Sequence, residues 1–231
     1  MLTDGNMHVV LVGTGGPFPN TERVSVATAV IAGGEFIMVD TGPGTVRKAL
    51  LQRLPMGKLR AVFLTHFHSD HIADLGEVNM YSWVQGNRKK RLEVFGPPGV
   101  EKVVEGYALA YEQDSLYRTV HHGEEVAPAE GAIPIAKTIH LAAKVAREVN
   151  QLSMSKIFTD ITDYHLTPVQ AAEIAQKAGV KRLVFYHVVP PPTNFILKRR
   201  YLEGVDDVYG GDVEVGEDGM TFMLEPNKNE Y

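Results

Sequence analysis

The chain has 231 residues, 44% of them hydrophobic, enough for one sizeable core and too few for two ordinary domains. Its 23 basic and 28 acidic residues leave a formal charge of −5, so composition gives no general attraction to phosphate backbones or anionic lipid, and nucleic acid is not favoured as a partner. The absence of cysteine excludes disulfides, thiolate metal sites and a cysteine nucleophile, which leaves His, Asp and Glu as the residues able to hold a metal.

His8-Val9-Val10-Leu11-Val12 reads as a buried strand that stops at Gly13-Thr14-Gly15-Gly16-Pro17. Strands are predicted over 24–32 and 35–39, joined by Gly33-Gly34, a pair suited to the positive φ angles of a tight hairpin. Apolar spacing then predicts a helix over 43–54 and a strand over 59–64, with Thr65-His66-Phe67-His68-Ser69-Asp70-His71 just past its end. A helix over 72–84, a strand over 91–95 and a helix over 100–111 continue the alternation of an α/β protein. Gly123, Pro128, Gly131 and Pro134 make 121–134 loop-like, and this stretch is the one candidate internal boundary. Beyond it a helix is expected over 135–149 and a short strand over 156–159. Thr167-Pro168-Val169-Gln170 has the residues of a capping box opening a helix over 171–178, and a strand over 182–186 delivers His187. No segment is apolar over the length of a membrane span, and residues 1–6 show no basic stretch leading into an apolar run, so a cytoplasmic protein without a membrane partner is expected.

The loop 65–71 carries the chemistry. Imidazole nitrogens and carboxylate oxygens bind zinc and related divalent ions, and donors at positions i, i+2, i+4 and i+5 can wrap around a metal pair. In extended chain His66 and His68 point to one side, while Asp70 and His71 can diverge as the chain turns into a helix. A bound metal brings the pKa of its water to about 7, which makes hydrolysis the natural reaction. The Gly13–Gly16 loop lacks the Lys and Ser/Thr spacing of a phosphate cradle, Arg88-Lys89-Lys90-Arg91 reads as a solvated basic turn, and Tyr81 and Trp83 read as packing residues.

Leu64-Thr65-His66-Phe67-His68-Ser69-Asp70-His71-Ile72-Ala73-Asp74-Leu75 resembles the signature of the metallo-β-lactamase superfamily. Val39-Asp40-Thr41-Gly42-Pro43-Gly44 resembles that family's earlier aspartate-glycine motif, whose carboxylate orients a metal-binding histidine. Gly13 to Pro17 with Arg23, and Glu93-Val94-Phe95-Gly96-Pro97-Pro98-Gly99, resemble the ribonuclease Z and arylsulfatase-like branch. The resemblance implies a single domain over 1–231 built as a four-layer αββα sandwich, one half over about 1–125 and a shortened half over about 126–231 that lacks some strands. It implies metal ligands His66, His68, Asp70, His71 and His187, with Asp40 behind them, Asp70 and His165 as the catalytic pair, and zinc, or Mn or Fe, as one or two divalent ions.

Between 125 and 157 the resemblance fails. The family carries there a third histidine for its first metal and a Gly-Asp pair bridging both ions, and neither has a convincing counterpart in the sequence, so several tens of residues are missing. Asp70, His71 and His187 would still hold one metal, whereas His66 and His68 would hold a weaker one; Asp160, Asp163 and His140 are not counted as substitutes, since Asp160 and Asp163 belong to a stretch that in the family accompanies the missing aspartate. The first expectation is a hydrolase in which metal-bound hydroxide attacks a small-molecule sulfate, phosphate or carboxylic ester. The alternatives are a ribonuclease Z-like phosphodiesterase acting on RNA, and a metal-binding module impaired by its missing ligands. A homodimer is expected on base rates.

Overall fold

A computed structural model describes residues 1–140 and 166–226. Their strands are β1 (Met7–Gly13), β2 (Ala27–Ala32), β3 (Glu35–Val39), β4 (Leu59–Phe63), β5 (Glu93–Gly96), β6 (Ile135–Thr138), β7 (Arg182–Phe185), β8 (Asp212–Val215) and β9 (Thr221–Leu224). The helices are α1 (Thr45–Leu51), α2 (Ser69–Ile72), α3 (Leu75–Gly86), α4 (Val100–Ala110), α5 (Glu112–His122), α6 (Pro168–Ala178) and α7 (Phe195–Tyr201). The chain divides into two compact units, Met1–Leu141 with Glu217–Tyr231, and Ala142–Gly216.

The first unit is built on a seven-stranded mixed sheet in the order β6-β5-β4-β3-β2-β1-β9. Gly33 and Gly34, at φ 57° and 82°, turn β2 into β3 with Ala32 opposite Glu35, because a turn with two positive φ angles matches the twist of the strands it joins. From β3 to β6 every pairing is parallel, so these four strands end at one edge, and the segments that follow them collect there. Val10, Val12, Ile31, Phe36, Met38, Leu59, Val62 and Val94 from the sheet are buried with Leu75 and Val78 of α3 and Val100 and Val104 of α4. Each such side chain contributes roughly 1.5–3 kcal/mol by leaving water. Trp83 is fully buried and donates its indole N–H to Pro128 O at 2.8 Å, so it holds the 128–132 loop. Arg88 donates to Asn79 Oδ1 at 2.9 Å, and Arg91 to the carbonyls of Ile133 and Pro134, so the two arginines of the basic turn tether backbone and polar groups.

In the second unit Thr167 accepts from Gln170 N while Gln170 Oε1 accepts from Thr167 N, completing the capping box that the sequence predicted for α6. Gly179, at φ 64°, ends the helix, and β7 pairs with β8 in parallel. Ala172, Ala175, Phe185, Val188, Val205, Tyr209 and Val215 form the core of this unit. Among the described residues its sheet has two strands.

The stretch from 135 differs from its expectation: Ile135 to Thr138 forms β6, not the start of a helix, and 141–149 lies outside the described residues. Pro134 restricts the residue before it to extended backbone, and the open edge of β5 offers a ladder of donors and acceptors to the four residues that follow. The predicted helix over 72–84 is α3, which starts at Leu75, with the short α2 ending at Ile72 just before it, and α5, α7, β8 and β9 have no counterpart in the sequence expectation.

Candidate metal centre

The centre is assembled at the edge where β3 and β4 end. Asp40 directly follows β3 in a left-handed conformation, φ 60°, and is buried. Its backbone N–H donates to Phe63 O at 2.8 Å, which ties it to the last residue of β4. Its carboxylate accepts from Thr65 N at 2.8 Å and from the Thr65 hydroxyl at 2.8 and 3.1 Å, and lies 2.9 Å from His71 Nδ1. A carboxylate accepts and does not donate, so Nδ1 of His71 carries a proton, and in the neutral ring Nε2 keeps its lone pair.

That lone pair faces Asp70, whose Oδ2 is 3.6 Å from His71 Nε2, and both residues are buried. Two ligands about 2.1 Å from a tetrahedral ion lie roughly 3.4 Å apart, so this pair of donors fits one divalent ion between them. His66 packs against both other imidazoles, its ring 3.9 Å from that of His71 and 4.6 Å from that of His68, with His66 Nε2 2.9 Å from His68 Nδ1. Burial pushes the His66 pKa down to about 4, helped by the neighbouring His71 and His68 rings and opposed by Asp40 and Asp70. Its ring is therefore neutral at neutral pH and able to donate to a metal.

Gly42 locks this loop to the rest of the sheet. A Cβ at position 42 would lie 2.1 Å from Asp70 O and 2.7 Å from Ser25 Cβ. Across the gap Thr41 N donates to His71 O at 2.7 Å, and Asp74 N to Thr41 O at 2.8 Å. Ser25 in turn belongs to a loop held by Asp218, a residue the sequence reading missed because it stands alone in a turn. The Asp218 side chain is 2% exposed and accepts from Thr14 N, Thr14 Oγ1 and Val24 N at 2.8, 2.7 and 2.8 Å, with Lys48 Nζ at 3.4 Å. Arg23 donates to the same Thr14 hydroxyl at 2.7 Å. An Asp218→Asn chain keeps one acceptor oxygen for three donors and aims an amide N–H at one of them. It is expected to lose about 1–3 kcal/mol, read as a lower Tm, and an unchanged melt would show that the 13–25 loop is held by other contacts.

Of the other residues expected at the site, His187 lies in the second unit, two residues beyond β7, at φ 58° and half-buried. His165, Asp160 and Asp163 lie outside the described residues. His121 and His122 are exposed at the end of α5. His140 is exposed beyond β6, and the sheet register gives it a place the sequence could not: Phe63, Phe95 and Lys137 share a row, and His66 and His140 each stand three residues past it. Thr65, quoted in the motif without a role, supplies the hydroxyl that bridges Asp40 to the histidine cluster.

A histidine-aspartate loop at the end of parallel strands, backed by a buried carboxylate, is an arrangement suited to holding a divalent ion. The sequence profile of the metallo-beta-lactamase superfamily matches residues 20–142, and the chain belongs to that superfamily. Among its relatives, Ribonuclease Z of Mycobacterium marinum is 30% identical, covering 92% of this chain and 96% of its own length. Ribonuclease Z of Mycobacterium bovis is 31% identical, covering 96% and 100%. The first alignment is 278 positions long against a chain of 231 residues, so at least 47 positions have no counterpart here. The fold is shared with the metallo-beta-lactamase fold protein YhfI from Bacillus subtilis, at TM-score 0.64 and 18% identity over 94% of this chain and 99% of that one. It is shared also with a diphosphatase of the PhnP family, at TM-score 0.58 and 14% identity over 95% and 98%. Superfamily membership implies divalent metal ions, and no helix among the described residues is long and apolar enough to cross a membrane.

Proposed function

We propose that this protein is a metal-dependent phosphodiesterase of ribonuclease Z type that hydrolyses RNA. The observation that carries the reading is the match to relatives named Ribonuclease Z along nearly the whole chain. It favours the RNA alternative over the small-molecule ester expected first, and nothing in the comparisons supports a sulfate ester.

Asp70, His71 and His187 are the proposed ligands of one ion, and His66 and His68 of a second, with zinc the ion these nitrogen and oxygen donors suit best. Bound there, the metal supplies Lewis-acid polarisation of a phosphoryl oxygen and activation of water. The chain supplies the rest. Asp40 holds the proton of His71 at Nδ1 and so aims Nε2, Thr65 fixes the Asp40 carboxylate, and Gly42 lets the Asp70 backbone seat against the 41–43 loop. His165 is the proposed donor of the proton that the leaving oxygen requires.

The alignment positions without a counterpart favour a second reading, a module that binds metal but turns over slowly. Elemental analysis of protein purified without chelator, run alongside hydrolysis of an RNA with a 3′ extension, bis(p-nitrophenyl) phosphate and p-nitrophenyl sulfate, separates them. The expected result is metal in the parent, less in His187→Ala and His68→Ala, and turnover of both phosphodiesters but not of the sulfate. Metal without phosphodiester turnover would establish the impaired module, and a chain without metal would sink the hydrolase.

A further inference from the structure

Helix α7, Phe195–Tyr201, is anchored in the second unit by one face and bare on the other. Asn194 caps it by accepting from Leu197 N at 2.9 Å, and Tyr201 packs edge-on against Phe185 with ring centres 5.6 Å apart. At 100° per residue, Phe195, Arg199, Ile196 and Arg200 fall in that order within an arc of about 140° on the side away from Tyr201. Phe195 and Ile196 are 77% and 76% exposed, and Arg199 and Arg200 are exposed too. Neither guanidinium has a hydrogen bond or ion pair among the described residues, unlike Arg88 and Arg91, which are committed to backbone and side-chain partners. The helix is thus inverted: its exposed face interleaves an aromatic ring and an aliphatic side chain with two unpaired cations.

We propose that this face of α7 is a contact surface for single-stranded RNA, the ring of Phe195 stacking on a base while Arg199 and Arg200 pair with successive phosphates. The proposal rests on the ribonuclease reading above. Charge complementarity selects the occupant. A second copy of the chain, docked about a two-fold axis, would bring Arg199 and Arg200 against the same residues of its mate, with like charges opposed. A polyanion with exposed bases meets both halves of the pattern at once. The acidic residues Glu203, Asp206 and Asp207 lie beyond the end of the helix, so the basic charge is confined to one turn. The surface also resolves the difficulty that the net charge of −5 sets for an RNA substrate, because a local cationic patch binds phosphate that the whole chain does not attract.

The test is fluorescence anisotropy of labelled oligouridylate on the full chain across a salt series, for the parent, Arg199→Ala/Arg200→Ala and Phe195→Ala. Each phosphate contact on single-stranded nucleic acid adds about 0.7 to the slope of log affinity against log salt, so the double arginine variant is expected to lower that slope by about 1.4. Phe195→Ala is expected to weaken binding roughly tenfold with the slope unchanged. Turnover of bis(p-nitrophenyl) phosphate should be unaltered in both. No binding by the parent, or a slope retained by Arg199→Ala/Arg200→Ala, would overturn the proposal. So would a Phe195→Ala/Ile196→Ala variant that converts a dimer to a monomer in sedimentation while binding RNA normally, since the face would then join two copies. The two readings fail separately: loss of α7 binding leaves bis(p-nitrophenyl) phosphate turnover in place, and a chain inert toward that ester fails as a phosphodiesterase whatever it binds.

Discussion

Asp40→Asn is expected to weaken metal binding by about 10–100-fold while leaving the fold in place. The substitution keeps the shape of the side chain, and asparagine is among the residues that best tolerate the left-handed backbone at position 40. What changes is the donor inventory. Asp40 serves Thr65 N, the Thr65 hydroxyl and His71 Nδ1 with acceptors only. An amide has one oxygen and one NH₂ group for the same neighbours. If the NH₂ turns toward His71, the imidazole must give up its Nδ1 proton, and the neutral ring then carries a proton on Nε2, where the metal would bind. If it turns toward Thr65, two N–H donors face each other in a buried site. Metal Kd from competition with a chromogenic chelator, set beside a thermal melt, reads both effects. Unchanged affinity would mean that His71 is oriented without Asp40, and its assignment as a ligand held from behind would fall.

Gly42→Ala is expected to lower stability by about 1–3 kcal/mol or more, and to disturb the metal loop with it. The added carbon has no room on either side, with a backbone carbonyl at 2.1 Å and Ser25 Cβ at 2.7 Å. Neither is the far end of a flexible side chain, and the carbonyl belongs to Asp70, so relief of the clash must move a proposed ligand. Gly106→Ala provides the contrast. Position 106 lies inside α4 with nothing within 4 Å of the new carbon, and there alanine is expected to be neutral or to stabilise by about 1 kcal/mol. A Gly42→Ala chain that melts with the parent and binds metal as well would show that the 41–43 loop yields, and would remove Gly42 from the account of how Asp70 is seated.

These two positions mark what was legible in the residues. The Asp-Thr-Gly motif was visible as a resemblance, and an orienting role for Asp40 came with it. The hydrogen-bond geometry at His71, 31 positions away, came from the pairing of β3 with β4. Asp218 and Thr14 are 204 positions apart, and no local pattern marks either as half of a contact. That His66 and His140 each stand three residues past one row of the sheet follows only from the register of β4, β5 and β6.

Local signals were read well where their physics is local. The Gly33-Gly34 hairpin, the capping box of α6 and the strand-loop-helix setting of the histidine loop each depend on a few adjacent residues, and the sequence determined them, along with the superfamily and its mixed α/β fold. The tertiary structure decided what depends on partners distant in the chain. Ile135 to Thr138 became a strand because β5 offered an open edge, since four apolar and polar residues carry too short a period to choose between helix and ladder. Asp40, Thr65 and His71 became one network because a buried hydrogen bond needs a specific partner, and which partner arrives is settled only when the sheet forms.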